Sequence, residues 1–276
     1  MKNLVFAAPP ILIRRNNLRK SALPILFFLM VVTMASASGC GSSGEQQLVV
    51  SAAISLSNAF EEIKAEFEKN NPDSNIIYNF AASGVLQAQI EQGAPVDVFA
   101  SASEKQMDVL EERGLLVAGS RADFAQNEVV LIVPGNSVRS PANFQELVKP
   151  EVIRIAVGNP EIVPAGQYAR EVLTNLGLWD KVQEKLVMAE NVRQALAYVE
   201  KAEVDSGIVY YTDALISRSV VIAASAPPGS HRPIVYPIAV IRGSKEEELA
   251  RRFISFIVSQ KGQGILQKYG FLPGSS

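Results

Sequence analysis

Short apolar runs rich in β-branched residues alternate with amphipathic stretches from Leu48 almost to the C-terminus. This alternation restricts the fold more than any other feature of the chain. Strands are expected at 48–53, 75–81, 96–102, 128–134, 153–158, 206–212, 220–225 and 236–243. Helices are expected at 56–70, 84–92, 104–113, 165–176, 192–202 and 246–269. Near-continuous apolar strands separated by helices build mostly parallel sheets covered on both faces, so the fold class is α/β. Eight strands stretch a single sheet. Two long, extended, apolar runs, "FAQNEVVLIVPGN" and "HRPIVYPIAVIRG", can carry the chain across a hinge and back. One lobe then comprises 48–128 with 236–276, the other comprises 129–235, and a ligand cleft lies between them.

The N-terminus is a separate object. Lys2, Arg14, Arg15, Arg19 and Lys20 stand in the first 39 residues with no Asp or Glu. An apolar run from Ala22 to about Met34 follows, then the small residues "ASASGC". A basic region, an apolar core and a small-residue cleavage site make an export signal. The apolar run is shorter than the roughly 20 residues a membrane-spanning helix needs. Cys40 is the only cysteine, so no internal disulfide can form. Its setting, "ASGC" followed by the flexible "GSSGEQQ", resembles a lipoprotein signal, although Ala37 stands where leucine is commoner. The expectation is a signal at 1–39, a lipid on Cys40, a linker at 40–47, and a mature chain tethered outside the cytoplasmic membrane.

Losing that signal sharpens the charge balance. The chain has 26 Lys and Arg against 28 Asp and Glu, and the signal takes five of the basic residues and none of the acidic ones. A chain this acidic is a poor partner for nucleic acid. An anion would have to be held by local dipoles against the net field.

Four strand-to-helix corners suit such local dipoles. "SAAISLSNAFEEI" places Ser55 where a strand turns into a helix, and "FAASGVLQAQI" does the same for Ser83. "VGNPEIVPAGQYAREVL" opens a helix at Pro164, leaving the Ala165 and Gly166 backbone exposed. "AENVRQALAYVE" opens one at Asn191, a capping residue, with the Val192 side chain on the apolar face. The first N–H groups of a helix have no partner within it and carry the positive end of its dipole. Several such ends converging make an anion site without Arg or Lys. Hydroxyls of Ser55, Ser83 and Tyr210 would add donors. Each feature also has an ordinary use, since serine caps helices and a buried tyrosine belongs in a core.

The corners occur in a longer pattern. "SAAISLSNAFEEI", "FAASGVLQAQIEQGAPVDVFASAS", "VGNPEIVPAGQYAREVL", "LGLWDKV", "AENVRQALAYVE", "GIVYYTDA" and "YPIAV" follow one another in order, with "KYGF" near the end. Together they closely resemble the molybdate-binding proteins of molybdate ABC importers, from about Leu48 to Phe271. The resemblance implies the two-lobe periplasmic binding protein fold (type II), with one molybdate or tungstate held in the cleft by neutral hydrogen bonds. It implies Ser55 and Ser83 as donors through hydroxyl and backbone N–H, and Ala165 and Val192 as donors through backbone N–H. Tyr210 would donate through its hydroxyl. It further implies capture without chemistry, no cofactor, a monomer, and delivery to a membrane permease powered by a separate ATPase subunit. One departure is Ala82, where a serine is often found next to the ligand serine.

Other readings are weaker. A different tetrahedral oxyanion such as sulfate or phosphate, or a small organic anion, would suit the same fold. The sequence does not separate molybdate from tungstate. A serine hydrolase would need His231, the only histidine, as base, and no G-x-S-x-G elbow surrounds Ser55 or Ser83. A metal-cation site lacks close ligand clusters at the corners.

Overall fold

The computed structural model of the chain describes residues 46–137 and 140–274. The export segment, Cys40 and most of the expected linker lie outside the described residues. Strand β1 (Gln46–Ala53) buries Leu48, Val50 and Ala52 and runs through a short 3₁₀ turn, Ile54–Leu56, into α1 (Ser57–Asn70). Ala59, Phe60, Ile63 and Phe67 give α1 its buried stripe at helical spacing. Then follow β2 (Ser74–Ala81), α2 (Ser83–Glu91), β3 (Val98–Ala100), α3 (Glu104–Glu112) and β4 (Ala122–Asn127).

One residue, Glu128, separates β4 from β5 (Val129–Pro134), and the two strands belong to different sheets. The second sheet continues with β6 (Ile155–Gly158), α4 (Pro164–Asn175), α5 (Trp179–Val182) and β7 (Leu186–Ala189). It is completed by α6 (Val192–Glu200), β8 (Ser206–Tyr210), α7 (Tyr211–Leu215) and β9 (Val220–Ser225). The chain returns to the first sheet as β10 (Ile234–Val240) and ends with α8 (Glu247–Val258), α9 (Gln260–Lys268) and β11 (Leu272–Pro273).

The first sheet has the order β11-β4-β10-β3-β1-β2 and the second β7-β6-β8-β5-β9. Both are mixed. Strands joined by helical crossovers are parallel, as the alternation requires: β1 with β2 and β3, β6 with β7 and β8. Strands that carry the chain between sheets run against their neighbours. β10 is antiparallel to β3 and β4, and β5 is antiparallel to β8 and β9. The expected mostly parallel sheets are therefore interrupted by the crossing strands, whose hydrophobic pattern does not encode direction.

Other differences are local. β4 carries Asp123, Gln126 and Asn127 and has no clean apolar alternation, so the extended run "FAQNEVVLIVPGN" is two strands, β4 and β5, where a single strand at 128–134 is expected. β7 is a half-exposed edge strand. The single helix expected at 246–269 is two helices. Ser259 adopts extended backbone (ψ 163°) and its Oγ accepts the Gly262 N–H at 3.3 Å, which starts α9 afresh. A Cβ at Gly262 would lie 2.3 Å from the Phe256 carbonyl oxygen, so only glycine permits this tight turn against α8.

The first lobe has two apolar layers. Leu86 and Ile90 of α2 and Met107 and Leu110 of α3 cover one face of its sheet with Phe99. The other face packs on α1 and α8 and is continuous with the core of the second lobe. An aromatic chain follows that continuity, with ring centroids 6.4 Å apart for Tyr168–Tyr210, 5.9 Å for Tyr210–Tyr236 and 6.3 Å for Tyr236–Phe124.

Candidate functional site

The five residues singled out in the sequence meet at one place. Ser55, Ser83, Ala165, Val192 and Tyr210 line a small cavity together with Ala53, Ile54, Ala102, Val163 and Pro164. Ser55 and Ser83 come from the first lobe; Ala165, Val192 and Tyr210 come from the second.

Neither serine caps its own helix. The Ser55 hydroxyl lies 3.1 Å from Tyr236 Oη, and the Ser83 hydroxyl accepts the Ala102 N–H at 3.0 Å. Ala82, the residue before α2, makes no side-chain cap either; its carbonyl receives the Val85 and Leu86 N–H groups. The α4 start is held by Val163, whose carbonyl accepts from Gly166 and Gln167. A Cβ at Gly166 would lie 1.9 Å from the Gly158 carbonyl oxygen, so glycine lets this helix end press against β6. At α6 the expected cap is present, because Asn191 Oδ1 accepts the Gln194 N–H at 2.9 Å. The N–H groups of Ser83, Ala165 and Val192 thus stand in first turns, where no carbonyl of the same helix faces them. Strand β8 ends at Tyr210 rather than 212, so Tyr210 precedes a fifth helix start, that of α7.

The lobes touch across the cavity through polar contacts. Tyr210 Oη donates to the Ala102 carbonyl at 3.2 Å, and the Gly84 N–H donates to the Ile162 carbonyl at 3.0 Å. Arg193, at the start of α6, donates to Asn58 Oδ1 at 2.9 Å and to the Ser55 carbonyl at 3.3 Å. The same guanidinium pairs at 2.5 Å with Asp213, which is fully buried. Burial raises the Asp213 carboxyl to a pKa of about 6 against the pull of Arg193. Burial also pushes the Tyr210 and Tyr236 hydroxyls above their ordinary range, so both stay protonated. The walls of the cavity itself are neutral.

Sequence reasoning did not single out Ala102, Asn127, Tyr236, Arg193 or Asp213. Ala102 lies in the quoted "VDVFASAS" run, which is the signal that could have found it. His231 lies away from the cavity: its Nδ1 is 2.7 Å from the Arg232 carbonyl oxygen and its ring packs on Tyr168. A larger crevice, lined among others by Lys105, Glu161, Arg170, Glu171 and Arg232, holds two ion pairs, Arg232 with Glu171 at 3.2 Å and Arg170 with Glu161 at 3.8 Å.

Two α/β lobes joined by two crossings, with helix starts from both lobes facing one cleft, define a two-lobe solute-binding protein. Residues 48–272 match the model of the bacterial extracellular solute-binding protein family. The molybdate-binding protein ModA of Haemophilus influenzae is 39% identical over 239 residues, which cover 84% of this chain and 92% of that one. YvgL of Bacillus subtilis (strain 168), named as a candidate ABC transporter substrate-binding lipoprotein, is 40% identical over 89% of this chain and 94% of its own. The solved periplasmic molybdate-binding protein of Azotobacter vinelandii superposes with a TM-score of 0.74 at 30% identity, over 83% of this chain and 100% of that one. The chain belongs to the bacterial extracellular solute-binding proteins, in the ModA family of molybdate-binding proteins.

Proposed function

We propose that the protein captures molybdate or tungstate outside the cytoplasmic membrane and hands it to an ABC importer. The observation that carries this reading is the convergence of five neutral donor residues from both lobes on one small cavity. The hydroxyls of Ser55 and Ser83 and the backbone N–H groups of Ser55, Ser83, Ala165 and Val192 would bind a tetrahedral dianion, joined by the Tyr210 hydroxyl once its hydrogen turns from the Ala102 carbonyl to the ion. Helix dipoles supply the positive field, and no wall residue adds a charge that would hold the anion too firmly for release. The lobes close on the ion and the closed form docks on the permease, with ATP hydrolysis in a separate subunit driving release. No cofactor enters this cycle. The protein works as a lipid-anchored monomer attached through Cys40; the lipoprotein name of YvgL supports the anchor.

Calorimetric titration with molybdate, tungstate, sulfate and phosphate tests the reading. One-to-one binding of molybdate and tungstate, with sulfate and phosphate silent, is expected. Binding of sulfate or phosphate in place of molybdate would keep the cleft and discard the cargo. Silence toward all four would discard the oxyanion site.

A further inference from the structure

A serine hydroxyl can donate or accept, so a serine in an anion site is useful only if something decides which it does. Behind Ser55 lies a buried chain of polar groups that makes this decision. It begins at Asn127, the last residue of β4. The Glu128 N–H donates to Asn127 Oδ1 at 2.9 Å. A backbone N–H cannot accept, so this bond fixes which end of the amide is oxygen. The amide nitrogen must then face the other side, where it donates to Tyr236 Oη at 3.2 Å and to Thr212 Oγ1 at 2.9 Å. Both amide hydrogens are used, and the amide has no reason to turn.

Tyr236 is fully buried and keeps its proton. Its oxygen already accepts from Asn127, and an amide NH₂ cannot accept in return. Besides Asn127, two hydroxyls interact with Tyr236 Oη: Ser55 Oγ at 3.1 Å, and Tyr210 Oη, which gives its own hydrogen to the Ala102 carbonyl at 3.2 Å. With the Tyr236 hydrogen on Ser55 Oγ, the Ser55 hydrogen points elsewhere, and the side chain lines the cavity.

We propose that Asn127 and Tyr236 are positioning residues that fix Ser55 as a hydrogen-bond donor toward the cleft. The proposal rests on the reading that the cleft takes an oxyanion. A fully deprotonated tetrahedral dianion offers only acceptors, and a serine locked as donor meets it without reorganisation. The relay also spans both lobes, since Thr212 belongs to α7 of the second lobe and Tyr236 to the first. The setting of Ser55 is thus tied to the residues around the chain crossing.

The test is a double-mutant cycle read by calorimetric titration with sodium molybdate on the full chain. Tyr236→Phe is expected to weaken molybdate binding about tenfold, through loss of one oriented charge-assisted bond. In a Ser55→Ala background the same change is expected to alter affinity by less than about twofold, because the group it orients is gone. An equal loss in both backgrounds would mean that Tyr236 only supports the fold, and no loss in the unmodified background would end the proposal. Should Tyr236→Phe fail to fold, Asn127→Ala in the same two backgrounds reads the same coupling, with about a threefold loss expected only where Ser55 is present. An unmodified protein that takes no molybdate would overturn the oxyanion reading and the relay with it. A protein that binds while the cycle shows no coupling overturns the relay alone.

Discussion

The two walls of the cleft solve one problem in different ways. The first lobe presents hydroxyls, Ser55 and Ser83, which rotate and can reverse their polarity. Each is held from behind, Ser55 by Tyr236 at 3.1 Å and Ser83 by the Ala102 N–H at 3.0 Å. The second lobe presents the peptide N–H groups of Ala165 and Val192, which are donors by covalent structure and are aimed by the helices that contain them. Only Tyr210 adds a rotating hydroxyl on that side. The difference teaches where side-chain identity counts. It counts at every rotating hydroxyl, above all on the first lobe's wall. At Ala165 and Val192 it counts only for packing.

The sharpest way to break that comparison is to reverse the charge of the first wall. Ser55→Asp puts a carboxylate against the dianion in a site with no cation of its own, and is expected to abolish molybdate binding. Calorimetry checks it; an affinity near that of the parent would place the ligand elsewhere. Next in size is Gly84→Ala. A Cβ there would lie 2.5 Å from the Ile162 carbonyl oxygen, across the boundary between the lobes. The lobes must separate or the Gly84–Ile162 hydrogen bond must break, so closure is penalised while each core is left intact. Binding is expected to weaken by about tenfold or more, from a lost backbone hydrogen bond plus steric strain. Small-angle scattering should show a more open apo form with little change in melting temperature.

How far the sequence reaches can be judged at the same residues. The alternation of strands and helices was legible because buried β-branched runs and 3.6-residue stripes leave strong periodic signals. Most of β4 falls inside the extended run "FAQNEVVLIVPGN", but Asp123, Gln126 and Asn127 break the apolar alternation, so it does not stand out as a strand of its own. The split between α8 and α9 is not legible because Ile257 and Ile265, on either side of the apolar-free "SQKGQG", still stand at a spacing that fits one helix face. The five site residues were brought out by helix-start chemistry together with the resemblance, and the structure gathers all five at one cavity. Tyr236 and Arg193 were not legible. Tyr236 stands 181 residues from Ser55, and Arg193 stands 135 residues from Asn58, so no local pattern joins them.

A finer comparison sets one residue from each wall side by side. Ser83→Ala removes a hydroxyl that the proposed anion site uses as a donor and should cost about 1–3 kcal/mol of binding. Val192→Ala leaves the donating N–H in place. It should cost less than about 1 kcal/mol of binding, while the smaller side chain costs about 0.5–2 kcal/mol of stability in the buried layer. Titration and urea denaturation of the two variants separate these effects. Equal losses of affinity would erase the distinction between rotating and fixed donors.

The smallest expected effect concerns the Arg193–Asp213 pair beside the cleft. Asp213 belongs to the second lobe, is fully buried, and has its carboxyl raised to a pKa of about 6 chiefly by that burial, with Arg193 opposing. The unfolded chain gives up this proton near the ordinary value of 3.8. Between the two values the folded protein holds a proton that the unfolded chain has lost. Stability from this group is therefore fully present below about pH 4 and declines as pH rises through about 6. Asp213→Asn lacks this slope. All other titrating groups are shared, so they cancel when the variant is compared with the parent at each pH. The stability difference should shift in favour of the variant between pH 4 and pH 7, as read by urea denaturation at both. The variant leaves Arg193 without its anion but with its bonds to Asn58 and the Ser55 carbonyl, so the absolute difference at either pH mixes two effects and only the change with pH isolates the carboxyl. A difference that stays flat, or moves the other way, would mean that Arg193 holds Asp213 ionised across the whole range. The second wall would then owe its neutrality to a fixed ion pair, and the contrast between a hydroxyl wall that must be set and a peptide wall that needs no setting would extend to how each lobe manages charge.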